Sequence, residues 1–98
     1  MRTINKGDWT YGRVEARSKM PVGKGLWPAI WMLPTTETYG GWAASGEIDI
    51  MEYVGDKSTE VLGTLHYGAP WPNNQFCSTT FTLQEGAFND DFHVFAYG

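Results

Sequence analysis

Twelve glycines and five prolines are spread through 98 residues, and no stretch between them holds apolar residues at 3.6-residue spacing. This pattern limits the fold more than any other feature. A helix needs that spacing sustained over several turns. Breakers at these intervals instead cut the chain into short strands, as in an all-β sandwich or barrel. Thr10 to Lys19 alternates, with Arg13, Glu15, Arg17 and Lys19 on one face and Val14, Ala16 and Ser18 on the other. Leu26 to Leu33 is an almost unbroken apolar run closed by Pro34. Pro28 within it cannot donate to a ladder, which places it at a strand start or a bulge. Strands are expected at Ser45 to Val54 and at Glu60 to Tyr67, where Leu62, Thr64 and His66 share a face. Weaker strands are expected at Ser78 to Leu83 and Phe92 to Tyr97, after turn chemistry at Pro70 to Asn74.

Composition narrows the function. A net charge of −4 disfavours nucleic acid as a partner, since that would call for a basic face. No apolar run approaches the roughly 18 residues of a membrane-spanning helix. Aromatics reach 15% and charged residues only 18%, a balance that suits a neutral ligand such as a sugar. Cys77 is the single cysteine, so no internal disulfide forms, and it reads as a small buried or half-buried residue. The first residues lack the charged and apolar regions of a signal peptide.

The sharpest local feature is Gly46-Glu47-Ile48-Asp49-Ile50-Met51-Glu52-Tyr53, three carboxylates within six residues of an otherwise apolar strand. Regular alternation puts Glu47 and Asp49 on one face and Ile48 and Ile50 on the other. It would also send Glu52 into the core, where an unpaired carboxylate is costly. A β-bulge near Ile50-Met51 absorbs one residue and returns Glu52 to the face of Glu47. Glu47 and Glu52 would then stand four strand positions apart. Their side chains, leaning together, could leave roughly 5 Å between carboxyl groups, the separation used by retaining glycosidases. Clustered acids titrate together, and one is kept protonated near neutral pH.

Two plainer readings stand beside this one: a solvated acidic strand face, or ligands for a cation such as calcium. Trp27, Trp31 and Trp42 all precede the acidic strand and could stack on sugar rings. Tryptophan is more often a core residue, and one of Trp27 and Trp31 could pack inward. Parity alone does not say which.

Gly46-Glu47-Ile48-Asp49-Ile50-Met51-Glu52 resembles the signature of glycoside hydrolase family 16, in the form with an extra residue before the last glutamate. That form is similar to laminarinase-like endo-β-1,3-glucanases. Other segments follow in family order: Tyr11 to Arg17, Gly25 to Pro34, Gly63 to Gly68 and Phe92 to Ala96. The resemblance covers essentially the whole chain.

The resemblance implies a concanavalin-like jelly-roll β-sandwich with a cleft on its concave sheet. It implies Glu47 as nucleophile, Glu52 as general acid/base and Asp49 as the residue that tunes Glu47. Trp27, Trp31 and Trp42 match aromatic positions lining the cleft of similar enzymes. Arg13 and His66 match polar positions near the catalytic strand; their plainer readings are a surface ion pair and an ordinary half-buried histidine. No cofactor is required. A structural calcium is common in the family, but no ligands for it can be assigned, and no metal-binding residue is expected. The expected substrate is β-1,3-glucan or mixed-linkage glucan, and the low basic content argues against sulfated galactans. The resemblance also implies an extracellular or periplasmic location.

All-β sandwiches commonly run about 200–250 residues. Residues 1–98 are therefore expected to form part of a catalytic domain whose first and last strands are missing, leaving the sandwich incomplete and self-association open to it. Two other classes remain. One is a glucan-binding module or inactive remnant that holds sugar without cutting it. The other is a structural sandwich with an acidic metal site.

Overall fold

The computed structural model describes residues 1–98, and it contains strands and turns but no helix. Six strands occur: β1 (Val14–Ser18), β2 (Ala29–Met32), β3 (Glu47–Glu52), β4 (Glu60–Tyr67), β5 (Gln75–Thr82) and β6 (His93–Tyr97). β1 to β4 and β6 lie within the segments expected from the sequence. Pro28 immediately precedes β2, so its missing N–H falls outside the ladder, while its carbonyl accepts from the Tyr53 N–H at 3.1 Å. The strand expected at Ser78 starts three residues earlier, at Gln75, because that segment pairs with β4 along its full length, from Tyr67↔Gln75 to Glu60↔Thr82.

The strands form two antiparallel sheets. One has four strands in the order β2-β3-β4-β5, and the other pairs β1 with β6. The smaller sheet packs over the β3 region of the larger one. Between them lies the core: Met51 and Tyr53 from the β3 segment, Val61 from β4, Phe95 from β6, and Met20 and Phe88 from the connections. The Phe88 ring meets Phe95 at 5.7 Å and His93 at 5.0 Å. Backbone bonds lock the connections in place, with Phe88 N–H donating to Ser58 and Met20 N–H to Phe88.

The larger sheet has an inner and an outer face. Cross-strand partners share a face, so Val61 and Phe81 point inward together, as do Leu65 and Cys77. The two-stranded sheet covers only part of this inner face, and Leu65, Tyr67 and Phe81 stay exposed. Cys77 is also exposed, a correction to the buried or half-buried position expected from its type. Its inward-facing partner Leu65 lies beyond the reach of the smaller sheet. The outer face carries the acids.

Candidate active site

The bulge in β3 builds the site. On one side β3 pairs Ile30↔Met51 and then Trp31↔Asp49; on the other it pairs Asp49↔Thr64 and then Glu52↔Leu62. Both neighbours therefore skip one residue of β3 between Asp49 and Glu52. This is the irregularity that the spacing of the acids requires. Its effect is visible in burial. Met51 turns into the core, Ile50 packs against it, and Glu52 emerges on the outer face with Glu47 and Asp49.

Residues of equal parity on the β2 side meet the acids. Trp27, Ala29 and Trp31 face the groove, while Ile30 packs against the core. The expectation that one of Trp27 and Trp31 could turn inward is corrected here. Trp31 projects outward from β2 and Trp27 from the segment before it, and both line the groove. Together with Glu47, Asp49, Glu52 and His66 they line an open hollow of about 510 Å³.

Two indole donors hold the outer carboxylates. Trp42 Nε1–H donates to Glu47 Oε2 at 2.5 Å. Trp27 Nε1–H donates to Glu52 Oε2 at 3.2 Å. These bonds fix which way each carboxylate points. Trp31 makes no such bond; it lines the groove and stays half exposed.

Asp49 sits between the glutamates and is only 6% exposed. Its Oδ2 lies 3.2 Å from Nε2 of His66, which projects from β4. Burial pushes the Asp49 carboxyl up to about 7, helped by a hydrogen bond with Glu47 and by the charges of Glu47 and Glu52, and opposed by His66. The raised value lets Asp49 hold a proton near neutral pH and donate it to Glu47. The His66 ring is flanked by Trp42 at 5.4 Å and Phe76 at 6.1 Å. Its Nδ1 is buried without a partner.

Arg13 is not brought to this groove. It lies beside β1 in the other sheet, where its Nε donates to Glu15 Oε1 at 2.6 Å on an exposed surface. The i, i+2 spacing places both side chains on one face of the strand, so the surface ion pair is the arrangement observed. Sequence reasoning missed Phe76, which lines the far side of the groove with Leu62, Thr64 and Ser78. The signal was the face shared by Leu62, Thr64 and His66, extended across one more strand.

Glu47, Asp49 and His66 are also close enough to hold a metal ion, their ligand atoms lying within 4.8 Å of one another. That donor set does not suit calcium, which takes roughly six to eight oxygen ligands. One of the three is an imidazole nitrogen, and the two carboxyls already share a hydrogen bond.

The profile of the glycosyl hydrolases family 16 matches residues 2–97. The chain belongs to this family. Family 16 relatives include the glucan endo-1,3-beta-glucosidase A1 of Niallia circulans, 47% identical over 97 residues, covering 98% of this chain and 14% of the relative. A beta-1,3-glucan-binding protein of Penaeus monodon is 49% identical over 102 residues, covering 96% of this chain and 28% of its own length. Among solved structures, the laminarinase catalytic domain of Thermotoga maritima superimposes with a TM-score of 0.83 at 40% identity, covering 96% of this chain and 38% of that one. The all-β jelly-roll fold expected from the sequence is thus the fold of the family 16 neighbours. The chain spans well under half the length of each of these proteins.

Proposed function

We propose that this chain carries the catalytic centre of a retaining endo-β-glucanase acting on β-1,3-glucan or mixed-linkage β-glucan. The observation that carries this reading is the bulge that sets Glu47 and Glu52 on one face, each held by its own indole donor. Glu47 attacks the anomeric carbon while Glu52 gives its proton to the leaving oxygen. Water deprotonated by Glu52 then attacks the same carbon and releases the sugar from Glu47, with retention. Protein carboxylates perform every step, and none calls for a cofactor.

The remaining residues serve these two. A protonated Asp49 donates to Glu47, tempering its charge before attack and shielding it from the other acids. Trp27 and Trp31 offer aromatic faces to the apolar sides of glucosyl rings. The Niallia circulans and Thermotoga maritima names support β-1,3-glucan as the substrate, and we extend that to an extracellular or periplasmic site of action.

A second reading is favoured by the identity to the Penaeus monodon binding protein: a module that holds glucan without cutting it. One assay separates the two. Wild-type protein, Glu47→Gln and Glu52→Gln are incubated with laminarin and lichenan, and new reducing ends and bound protein are both measured. Reducing ends from the wild type alone support the hydrolase. Equal binding by all three with no product supports the module.

A further inference from the structure

Of the residues that the β2 side turns to the groove, Trp27, Ala29 and Trp31, only Ala29 is small. It is the register partner of Glu52. Directly opposite residues of an antiparallel pair hold their Cβ atoms roughly 4.5–5.5 Å apart. A single methyl group therefore stands beside the base of the Glu52 side chain. Trp27 reaches past that methyl group, and its Nε1–H donates to Glu52 Oε2 at 3.2 Å from a position two residues before the register partner. Diagonal neighbours of this kind stand roughly 7–8 Å apart, within reach of long side chains. A bulky residue at position 29 would fill the space that the bond crosses.

The backbone holds the indole in this place. Tyr53 N–H donates to the Pro28 carbonyl at 3.1 Å, and Gly55 N–H to the Leu26 carbonyl at 2.9 Å, so Trp27 is fastened on both sides to the segment that follows Glu52. Gly55 makes that approach possible. A Cβ there would overlap the Gly23 carbonyl oxygen and meet Leu26 Cβ at 3.5 Å.

The bond also distinguishes the two oxygens of Glu52. A protonated carboxyl has a carbonyl oxygen that accepts well and a hydroxyl oxygen that donates. Oε2 accepts the indole N–H and is therefore the carbonyl oxygen, which leaves the acidic proton to Oε1. We infer that Trp27 is a positioning residue that keeps the proton of Glu52 on Oε1 for delivery to the leaving oxygen, and that Ala29 is the spacer that lets it do so. This rests on the hydrolase reading above. In the step served, the bond between the anomeric carbon and the leaving oxygen breaks with its electron pair going to that oxygen. The oxygen takes the proton from Oε1 while Glu47 forms its own bond to the carbon.

The test compares two aryl β-laminaribiosides. Dinitrophenolate leaves without a proton, whereas phenolate needs one. Their kcat/KM values report bond cleavage up to the glycosyl–Glu47 ester and not its later hydrolysis. Trp27→Phe keeps a ring in the groove and removes the N–H. Its kcat/KM should fall about tenfold or more on the phenyl substrate and stay near the wild-type value on the dinitrophenyl one, which also shows that the variant is folded. Ala29→Val, a substitution suited to a strand, should give the same selective loss. Ala29→Ser, close to alanine in size, should stay near wild type on both. An equal fall on the two substrates in Trp27→Phe, or no fall on either, overturns the positioning role while the hydrolase reading stands. Failure of the wild type to cleave either substrate overturns the hydrolase reading and the positioning role with it.

Discussion

His66 on β4 reaches across to Asp49 on β3, with Nε2 and Oδ2 3.2 Å apart, although the two are not register partners. Asp49 pairs with Thr64, and His66 pairs with Glu47. The contact is therefore diagonal, and it ties the middle acid to the strand that carries the far side of the groove. His66→Gln removes the one group opposing the rise of the Asp49 carboxyl. The limb of the pH–activity profile governed by Asp49 should move to higher pH in that variant. A profile of laminarin hydrolysis from pH 4 to pH 9, compared with wild type, reads this directly.

Asp49 also makes stability depend on pH. Its folded value of about 7 lies above its ordinary 3.8, so the folded state holds a proton that the unfolded state has lost. By linkage its contribution is full below the unfolded value and declines as pH rises toward the folded value. Above that window the charged, buried Asp49 destabilises the fold. Asp49→Asn should melt higher than wild type above pH 7 and lose that advantage near pH 4. Thermal unfolding of both proteins across this range measures the difference.

The two indole donors predict a separation between binding and chemistry. Trp42→Phe keeps a ring beside His66 but removes the 2.5 Å donor from Glu47. A hydrogen bond to a charged group contributes about 1.5–3 kcal/mol, so kcat should fall by an order of magnitude or more with little change in KM. Trp31→Ala removes an exposed groove face that bonds to neither glutamate. Its main effect should be a higher KM for laminarin. Steady-state kinetics on both variants test the split.

Gly46 delivers the chain into β3 with φ at +90°, and its N–H donates to Ala43 at 2.9 Å. A side chain there would be strained, at a cost of about 1–2 kcal/mol. Gly46→Ala should therefore lower the urea midpoint and reduce activity by displacing Glu47. Gly41→Ala is the control. A Cβ there meets nothing within 4 Å and the backbone is not left-handed, so the midpoint should hold.

The site was legible in the sequence because its geometry follows from strand parity. Glu52 falls on the wrong face unless one residue is absorbed, and that arithmetic alone places a bulge near Ile50-Met51. The Glu60 to Tyr67 strand was readable for the same reason. Parity was less informative where tertiary pairing decides. Gln75 to Cys77 reads as loop on its own, and only its ladder with β4 makes it strand and places Phe76 opposite His66. The elevated proton affinity was expected of the cluster, but its location on Asp49 depends on burial, which the sequence does not encode locally. The indole bonds to Glu47 and Glu52 likewise come from distant segments, 5 and 25 residues away in the chain.

Loss of either outer glutamate should be severe. Proton transfer by a positioned side chain contributes about 100- to 10,000-fold, so Glu52→Gln should lose laminarin hydrolysis on that scale. Added azide, which needs no base, should restore turnover of an activated aryl glucoside and give the β-glycosyl azide. Product analysis by NMR checks both statements.

The most direct measurement of the central claim is covalent trapping. The protein is incubated with a 2-deoxy-2-fluoro-β-laminaribioside bearing a dinitrophenolate leaving group, then digested and mapped by mass spectrometry. A retaining mechanism with Glu47 as nucleophile predicts one fluoroglycosyl adduct, carried by Glu47 and absent from Glu47→Gln. An adduct on Glu52 or elsewhere, or turnover of laminarin by a protein that Glu47→Gln leaves fully active, would contradict it.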